Sequence, residues 1–475
     1  MSLWKIAWRS IQQRALSSWL TGLSMALGVA LVVIVVVINS FTQQFFGDAA
    51  QGYHLIVGTK GGKTQLVLNT VFHMSQSLEP MPWSYYQEFV GEDGKFSKRV
   101  EQAIPYCLGD TYKGFRCVAT IPDLFDNNPY TWDKKGNPTY YTFREGRNFR
   151  DALSVSRNEF EAAAFEAVVG SVAAKQTGLK IGDRFAITHG VEGHSHDEDQ
   201  FTVVGILNPT GTPNDRGVFI NMEGFYLLGG HALDEKKPVE NKTDTHEDAH
   251  AHGDEHAHED DHEHEDGHAH DHGSHAHGSR RPLADYRREV TSIMVRMSGS
   301  DPTMAVLNAG AMAKEINEGR DAQAVFPLRE VTLLLNMFVA PLRWVLLALT
   351  VAIVIVACIG VMVSIYNSMS ERTREIAVIR SLGAGRETVM AIVLLESMML
   401  ALFGGLAGIV LGHGAIGLFA PWVASELGFP LEWLHFSWLE LVLVPSLIVL
   451  AAGAGFLPAF TAYRTDVAKA LSAAP

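Results

Sequence analysis

The stretch SERTREIAVIRSLGAGRETVMAIVLLESMMLALFGGLAGIVLG, Ser370 to Gly412, changes character along its length. Its first part carries charges of both signs around isoleucines, which predicts a short amphipathic helix from Ser370 to Leu382. The Gly-Ala-Gly sequence at 383–385 favours a sharp turn, and the residues beyond Glu396 are uncharged and largely apolar. A charged surface helix followed by an apolar helix of this length indicates a membrane protein.

Long apolar segments occur elsewhere in the chain as well. The chain has 475 residues, 47% of them hydrophobic, and a mean hydropathy of +0.08, so these segments coexist with a large polar part. A helix needs about 20 residues to cross a bilayer. Four runs without a charged residue exceed that length, at 16–38, 344–370, 397–425 and 441–463. With their flanking residues they predict transmembrane helices at 16–38, 333–369, 388–420 and 438–460.

Lysines and arginines indicate the orientation, because they accumulate next to spans on the cytoplasmic side. Basic residues lie in 1–15, 370–387 and 461–475, whereas the loop 421–437 has none. Both termini are therefore predicted to be cytoplasmic, and 39–332 is predicted to be an extracytoplasmic domain. The first apolar run is longer than the core of a signal peptide, which predicts an uncleaved anchor.

The segment GTKGGKT, Gly58 to Thr64, is similar to a nucleotide-binding loop but is one residue short of GxxxxGK(S/T). It also lies in the part predicted to be extracytoplasmic, where ATP is scarce. We interpret it as a Gly-rich turn between strands. No ATPase site is expected in this chain, and ATP hydrolysis is expected from a separate subunit.

Strand and helix patterns alternate through 39–332. They predict two strand-helix-strand units at the two ends of this region, with a β-rich insert between them. The predicted fold class is an α+β membrane protein with four transmembrane helices, one and then three, and a large extracytoplasmic α/β domain. The predicted elements are helices at 83–90 and 302–318, the second capped by Asp301, and strands at 53–57, 183–187, 201–207, 217–221, 292–297 and 322–326.

Two of the three cysteines, Cys107 and Cys117, flank the segment LGDTYKGFR. This segment predicts a hairpin that places the two cysteines near opposite positions. A cross-strand disulfide is then a candidate if the compartment is oxidising, and two free thiols are the alternative. Cys358 lies within a predicted span and is expected to be a small apolar packing residue.

A histidine-rich run extends from His246 to His277. It holds 12 of the 20 histidines, 11 acidic residues and no lysine or arginine. Such a polar composition predicts a disordered insertion over about 234–282. A smaller segment of the same kind, HGVEGHSHDED, occupies a predicted hairpin loop at 189–199.

Imidazoles and carboxylates at His-x-His spacing suit zinc, copper or nickel. Three interpretations stay open: a divalent-metal tether, most simply for zinc, a solvated acidic loop, and a pH-responsive segment. No other cofactor is expected in this chain. The candidate metal ligands are His194, His196, His246, His250, His252, His256, His258, His262, His264, His268, His270, His272, His275 and His277.

The stretch quoted first resembles the signature of the MacB, LolC/LolE and FtsX superfamily of ABC transporter permeases. The C-terminal LPAFTAYRTDVAKAL is similar to the closing pattern of that family, with Pro458, Arg464 and Asp466 at its recurrent positions. VVGSVAAKQTGLKIGDRFAI…FTVVGIL is similar to the outer-domain strands of the MacB type. One span, a large outer domain and three further spans is also the layout of this family.

The resemblance implies that 370–387 contains a coupling helix, which docks in a cleft of a cytoplasmic ABC ATPase. A loop that only sets the topology is the alternative. The positions implied for ATPase coupling are Glu371, Arg372, Arg374, Glu375, Ile376, Ile379, Arg380 and Gly383.

Three glycines in the third span, Gly404, Gly408 and Gly412, recur every fourth residue. They predict a smooth face for close packing of transmembrane helices. Glu396 is expected to make an interfacial or interhelical hydrogen bond. His413 is expected to be a packing histidine whose hydrogen bonds are satisfied.

Together these features predict a permease subunit in the bacterial inner membrane that acts by mechanotransmission on a hydrophobic, peptide-like or lipoprotein cargo. It would be a homodimer or pair with a similar permease. The alternatives are an FtsX-like scaffold that activates a periplasmic partner and a permease for divalent metal. A periplasmic adaptor, a lipoprotein or a metal-binding protein is a further expected partner, whereas nucleic-acid partners and catalytic residues are not expected.

Overall fold

A computed structural model describes residues 3–13, 15–49, 52–76, 78–132, 135, 137–189, 194–195, 199–228, 280–299, 301–381, 385–427, 436 and 438–464. Long apolar helices and the N-terminal helix form a bundle, and the other elements form a mixed domain of helices and strands. The helices are α1 Leu3–Gln13, α2 Ala15–Ala49, α3 Lys63–Thr70, α4 Trp83–Val90, α5 Asp123–Asp126, α6 Phe160–Ala164, α7 Ser171–Thr177, α8 Met222–Leu227, α9 Pro302–Glu318, α10 Pro327–Leu334, α11 Ala340–Ser381, α12 Arg386–Leu427 and α13 Trp438–Arg464.

A π-helical segment, Leu335–Val339, joins α10 to α11. The strands all lie in the mixed domain. They are β1 Leu55–Thr59, β2 Met81–Pro82, β3 Val100–Tyr112, β4 Phe115–Thr120, β5 Pro129–Trp132, β6 Pro138–Tyr140, β7 Phe143–Gly146, β8 Glu166–Val169, β9 Arg184–Phe185, β10 Thr188–His189, β11 His194–Ser195, β12 Phe201–Leu207, β13 Val218–Asn221, β14 Glu289–Val290, β15 Ser292–Met297 and β16 Ala322–Val325.

One sheet runs through the mixed domain in the order β16-β1-β15-β3-β4-β13-β8-β12-β7. The 13-residue strand β3 pairs with β15 along its first half and with β4 along its second. It therefore joins a base sheet, formed by β16, β1 and β15, to an insert sheet, formed by β4, β13, β8 and β12. The strands of the two predicted strand-helix-strand units, from both ends of the region, pair with one another in this one base sheet.

In the base sheet, the buried strand β1 pairs with a neighbouring strand along each of its edges. Ile56 of β1 pairs with Met294 on one side and with Val325 on the other. Helix α9 covers one face of this sheet through Ala309, Met312 and Ile316, all buried. A buried apolar strand needs a hydrogen-bonded strand along each edge. The two that β1 uses, β15 and β16, both come from the far end of the region.

Several elements lie where the sequence places them. Helix α4 and strands β12 and β15 occupy the predicted residues. The predicted cap of α9 is present, because the Asp301 carboxylate accepts a hydrogen bond from the backbone N–H of Thr303 at 3.1 Å. These elements are set by nearby residues, which explains the agreement.

The GTKGGKT segment connects β1 to α3 rather than two strands, so the interpretation as a turn between strands is wrong. Helix α3 begins at Lys63 and buries Leu66 and Val67. The Lys60 ammonium donates to the carbonyl oxygens of Asn317, at 3.3 Å, and of Gly319 at the end of α9. This lysine therefore satisfies carbonyls at a helix C-terminus, as basic side chains commonly do.

Four helices of the described residues are long and apolar enough to cross a membrane, with candidate spans at 18–42, 327–360, 386–424 and 440–457. Helix α12 lies between α2 and α13, and the shared core includes Val29, Val33, Leu447 and Ala451. The amphipathic helix α1 packs along α12, with the ring centroids of Trp8 and Phe403 5.6 Å apart.

Helix α11 continues without a break from Ala340 to Ser381. The predicted short helix at 370–382 is therefore corrected, because its described part is the C-terminal end of this long helix. No glycine or proline occurs in 361–382, so nothing in the local sequence interrupts the helical hydrogen bonds. The turn at 382–384 lies outside the described residues.

Candidate functional site

Seven of the eight residues implied for ATPase coupling lie on the C-terminal part of α11. Gly383 lies outside the described residues. The residues on α11 are Glu371, Arg372, Arg374, Glu375, Ile376, Ile379 and Arg380.

The length of α11 connects this charged end to the mixed domain. At 1.5 Å per residue its 42 residues extend about 63 Å, which is roughly twice the 30 Å hydrocarbon core of a bilayer. Helix α10 and the π-helical segment continue the same path back to β16. A helical rod, Pro327 to Ser381, thus joins the edge of the base sheet to the charged residues.

The three glycines of α12 lie against α2. A Cβ atom on Gly408 would be 2.5 Å from the Cβ of Val29 and 2.6 Å from the carbonyl oxygen of Ala26. A Cβ on Gly404 or Gly412 would be 2.9 Å from the nearest side-chain atom of α2. Only glycine allows the two backbones to approach this closely.

The polar residues of α12 are buried within the bundle. The Nε2 atom of His413 lies 2.8 Å from the Oε2 atom of Glu440 on α13, and the side chains are only 6% and 4% exposed. Phe436 packs on the imidazole, with ring centroids 4.5 Å apart. Glu396 is also buried. The sequence does not reveal that Glu440 is the partner of His413, although both are titratable groups in predicted spans.

The two cysteines of the β3–β4 hairpin are free thiols, so the structure does not contain the candidate disulfide. The two cysteines are near each other in register but not directly opposite, because Cys107 pairs with Ala119, two residues beyond Cys117. An irregularity in the register between Leu108 and Thr111 shifts the strands. The Cys107 thiol contacts the Glu289 carbonyl at 3.1 Å, and burial raises its pKa to about 12.

A buried ion pair connects the insert sheet to the returning chain. Two Nη atoms of Arg288 each lie 3.0 Å from a carboxylate oxygen of Glu223 on α8. The guanidinium also lies over the rings of Trp83 and Tyr226, 5.7 Å from each centroid. Burial raises the pKa of Glu223 to about 7, against the opposing effect of Arg288. The pair holds together segments that the histidine-rich run separates in the sequence.

Replacing Arg288 by methionine is expected to destabilise the mixed domain by about 3–5 kcal/mol, because the buried Glu223 carboxylate loses its cation. The loss should be larger at pH 8 than at pH 5. A carboxyl whose folded pKa is raised loses stability as pH rises through that pKa, and protonation removes the charge below it. Hydrogen exchange of the α8 amides measures the effect. Equal protection in Arg288→Met and in the exposed control Arg281→Met would contradict the prediction.

A second charged cluster holds the start of β8. The Glu166 carboxylate is 5% exposed and accepts hydrogen bonds from the Arg147 guanidinium at 2.7 and 2.9 Å. The backbone N–H of Arg150 donates to it at 2.8 Å. Burial opposes ionisation, but these hydrogen bonds outweigh it and lower the pKa of Glu166.

The candidate metal ligands lie almost entirely outside the described residues, since 229–279 and His196 are outside them. His194 lies on β11, which pairs with β10 in the predicted hairpin. Within the described part of the chain, no group of three His, Cys, Asp or Glu residues could hold a metal ion. Arg280, just after the run, donates to Asp199, just after the hairpin, at 2.7 Å. This ion pair therefore joins the chain just after the run to the last residue of the smaller histidine-rich segment.

Comparison with protein families gives two separate matches. The model of the MacB-like periplasmic core domain matches residues 18–241, and the model of the FtsX-like permease C-terminal region matches residues 347–467. The first includes most of α2 and the four strands of the insert sheet, and the second includes most of α11, all of α12 and all of α13. The chain belongs to the MacB and FtsX type of ABC transporter permease.

Individual relatives agree with this assignment. The permease is 29% identical over 186 residues to the "Uncharacterized ABC transporter permease YknZ" of Bacillus subtilis, which covers 38% of this chain and 45% of that protein. It is 30% identical over 186 residues to the "Macrolide export ATP-binding/permease protein MacB" of Bordetella avium, which covers 39% of this chain and 28% of that protein. The permease thus aligns with less than half the length of these relatives.

Proposed function

We propose that this permease transmits the motion of a separate cytoplasmic ABC ATPase to its mixed domain, and thereby exports or extracts a hydrophobic, peptide-like or lipoprotein cargo. In this proposal both termini and the Ser381 end of α11 face the cytoplasm, because the basic residues cluster there. The mixed domain lies on the opposite side of the bacterial inner membrane.

The observation that carries the proposal is the continuous helical rod, Pro327 to Ser381. The helix continues without a break through Pro341 and Gly360, and its charged end, 361–381, contains neither residue type, so a displacement of that end is passed along the helix toward Pro327. That other end follows directly from β16 of the base sheet. Motion imposed at Arg374 and Arg380 would therefore reach the mixed domain without passing through a solute channel.

The exposure of α11 supports a partner permease. In the candidate span at 327–360, only 6% of the most hydrophobic 18-residue stretch is buried. The corresponding share is 50% in each of the spans of α2 and α12. Val345, Val356 and Ile359 are among the exposed apolar residues of this helix. We propose that a second copy, or a similar permease, covers part of this face, since packed helices gain contacts that lipid alone does not supply.

Reconstitution tests the transport proposal. The permease and its ATPase would be incorporated in vesicles together with a fluorescent lipidated peptide, and release of the peptide would be followed after ATP is added. Extraction is supported if the peptide is released with the active ATPase but not with an ATPase variant that cannot hydrolyse ATP. ATP-dependent activation of a cell-wall enzyme, with no release of any hydrophobic or lipidated cargo, would instead favour the FtsX-like signalling scaffold.

A secondary proposal concerns the histidine-rich run. The ion pair between Arg280 and Asp199 brings its base next to the β10–β11 hairpin, which carries further histidines. We propose that the run collects several divalent ions loosely near the mixed domain. It is not the route of transport, because the described parts of the spans offer few groups that bind metal.

Deleting residues 246–277 is expected to remove most zinc binding, because the deletion removes 12 of the 20 histidines. Folding and stimulation of the ATPase should be unchanged. Isothermal titration with zinc gives the stoichiometry of the full chain and of the deletion variant. Replacing the run with a Gly/Ser linker of the same length is the control for the length of the connection, and an unchanged stoichiometry would rule out the collecting role.

A further inference from the structure

A cavity of about 270 Å³ opens where the bundle meets the mixed domain. It lies between the end of α2 and the junction of α10 with α11. Asn39 and Thr42 line it from α2, and Val331, Leu335 and Val339 line its apolar wall. Its volume is close to the lower end of ligand pockets, which is roughly 300 Å³. One part of the lining is thus polar and the rest is suited to an alkyl chain.

Arg343 supplies the positive charge of this cavity. Its Nη1 atom donates to the Asn39 side-chain oxygen at a long 3.4 Å. Its Nε atom is buried and has no hydrogen-bond partner among the described residues. Among the residues that the structure describes, no Asp or Glu carboxylate forms an ion pair with Arg343. A guanidinium at the edge of an apolar segment is costly without an anion, so the cavity has an unmet preference for one.

The π-helical segment shapes the apolar wall. Leu335, Asn336 and Val339 all belong to this segment and all line the cavity. π-helical turns are rare and occur frequently at functional sites. The neighbouring Met337 and Phe338 are each 66% exposed and apolar, so the surface beside the cavity is also compatible with lipid. The π-helical segment therefore contributes three of the residues that line the cavity.

We propose that this cavity binds an amphiphile with an anionic head group. A phosphate or carboxylate oxygen accepts hydrogen bonds from Arg343, and an alkyl chain lies along Val331, Leu335 and Val339. The guanidinium suits such a group because its N–H donors form a planar fork. The ligand is a phospholipid of the adjoining leaflet or the lipidated end of a cargo. Only the cargo alternative rests on the proposed transport function, because binding itself needs no ATPase.

The test measures binding of a fluorescent phosphatidylglycerol to the purified full chain in detergent. Arg343→Gln is expected to weaken binding about tenfold, as for the loss of one charge-assisted hydrogen bond. Arg343→Lys should restore part of it. A fluorescent diacylglycerol with the same acyl chains has no phosphate. It should therefore bind about equally to the unsubstituted protein and to the Arg343→Gln variant. The matched control is Arg329→Gln, an exposed arginine of α10 outside the cavity.

Substitutions that fill the apolar part of the cavity test the binding of the alkyl chain independently of Arg343. Ala340→Phe places a ring in the cavity and should weaken both probes, whereas Ala348→Phe, exposed on the same helix, should not. Displacement of the probe by unlabelled phosphatidylglycerol alone identifies a leaflet lipid. Displacement by an acidic lipidated peptide identifies the cargo. The proposal would be overturned if Arg343→Gln and Arg329→Gln bound phosphatidylglycerol with equal affinity. It would also be overturned if Ala340→Phe and Ala348→Phe did so. Either result would count against the cavity even if ATP-driven release of a cargo were observed.

Discussion

The double variant Arg374→Glu, Arg380→Glu is expected to lose stimulation of the ATPase almost completely. Both residues lie on the charged end of α11, at positions that the family signature implies for docking. Truncating one member of a buried charge pair at an interface costs about 2–5 kcal/mol. Reversing two charges should therefore weaken association with the ATPase by more than about 100-fold.

Co-purification with the ATPase and its turnover in vesicles measure this effect. The control is Arg144→Glu with Arg157→Glu, which makes the same change in net charge on exposed residues of the mixed domain. The control should assemble and hydrolyse ATP at the normal rate. If the α11 variant did the same, α11 would not be the connection to the ATPase, and the proposed function would lose its main support.

Replacing Gly408 by alanine is expected to destabilise the bundle by about 2 kcal/mol or more. The new Cβ would lie 2.5 Å from Val29 and 2.6 Å from the Ala26 carbonyl, so α2 must move away from α12. Overpacking a close contact typically costs about 1–3 kcal/mol, and a backbone oxygen yields less easily than the end of a side chain.

The control lies on the same helix. No atom lies within 4 Å of a Cβ built on Gly414, so Gly414→Ala should be neutral or should stabilise by up to about 1 kcal/mol through its higher helix propensity. Thermal unfolding in detergent compares the two variants. The same midpoint for Gly408→Ala and Gly414→Ala would show that α2 and α12 are not in close contact at this position.

Local features of the chain were predictable. Strand β15 and helix α9 lie at their predicted residues, because alternating apolar residues and an Asp-Pro cap act over a few neighbours. The four apolar segments also follow from length and composition alone. The helical state of 370–381 was predicted, but its continuity with α11 was not, since a change from apolar to charged residues suggests a boundary where the backbone has none.

The long-range pairings were not predictable. Cys107 pairs with Ala119 because of an irregular register, and register depends on how the whole sheet packs. His413 meets Glu440, and Glu223 meets Arg288, across 27 and 65 residues of chain. A charged side chain gives no local signal of its distant partner, so these contacts could be found only in the folded structure.

The amino-acid sequence by itself determined the long apolar helices, the glycine face of α12, the local strands and the family signature. These depend on the period, composition and spacing of residues that are close along the chain. The tertiary structure alone decided that β1 lies between β15 and β16, and that Arg343 faces a cavity beside Asn39. Such arrangements depend on burial shared by distant segments, which no short stretch of sequence contains.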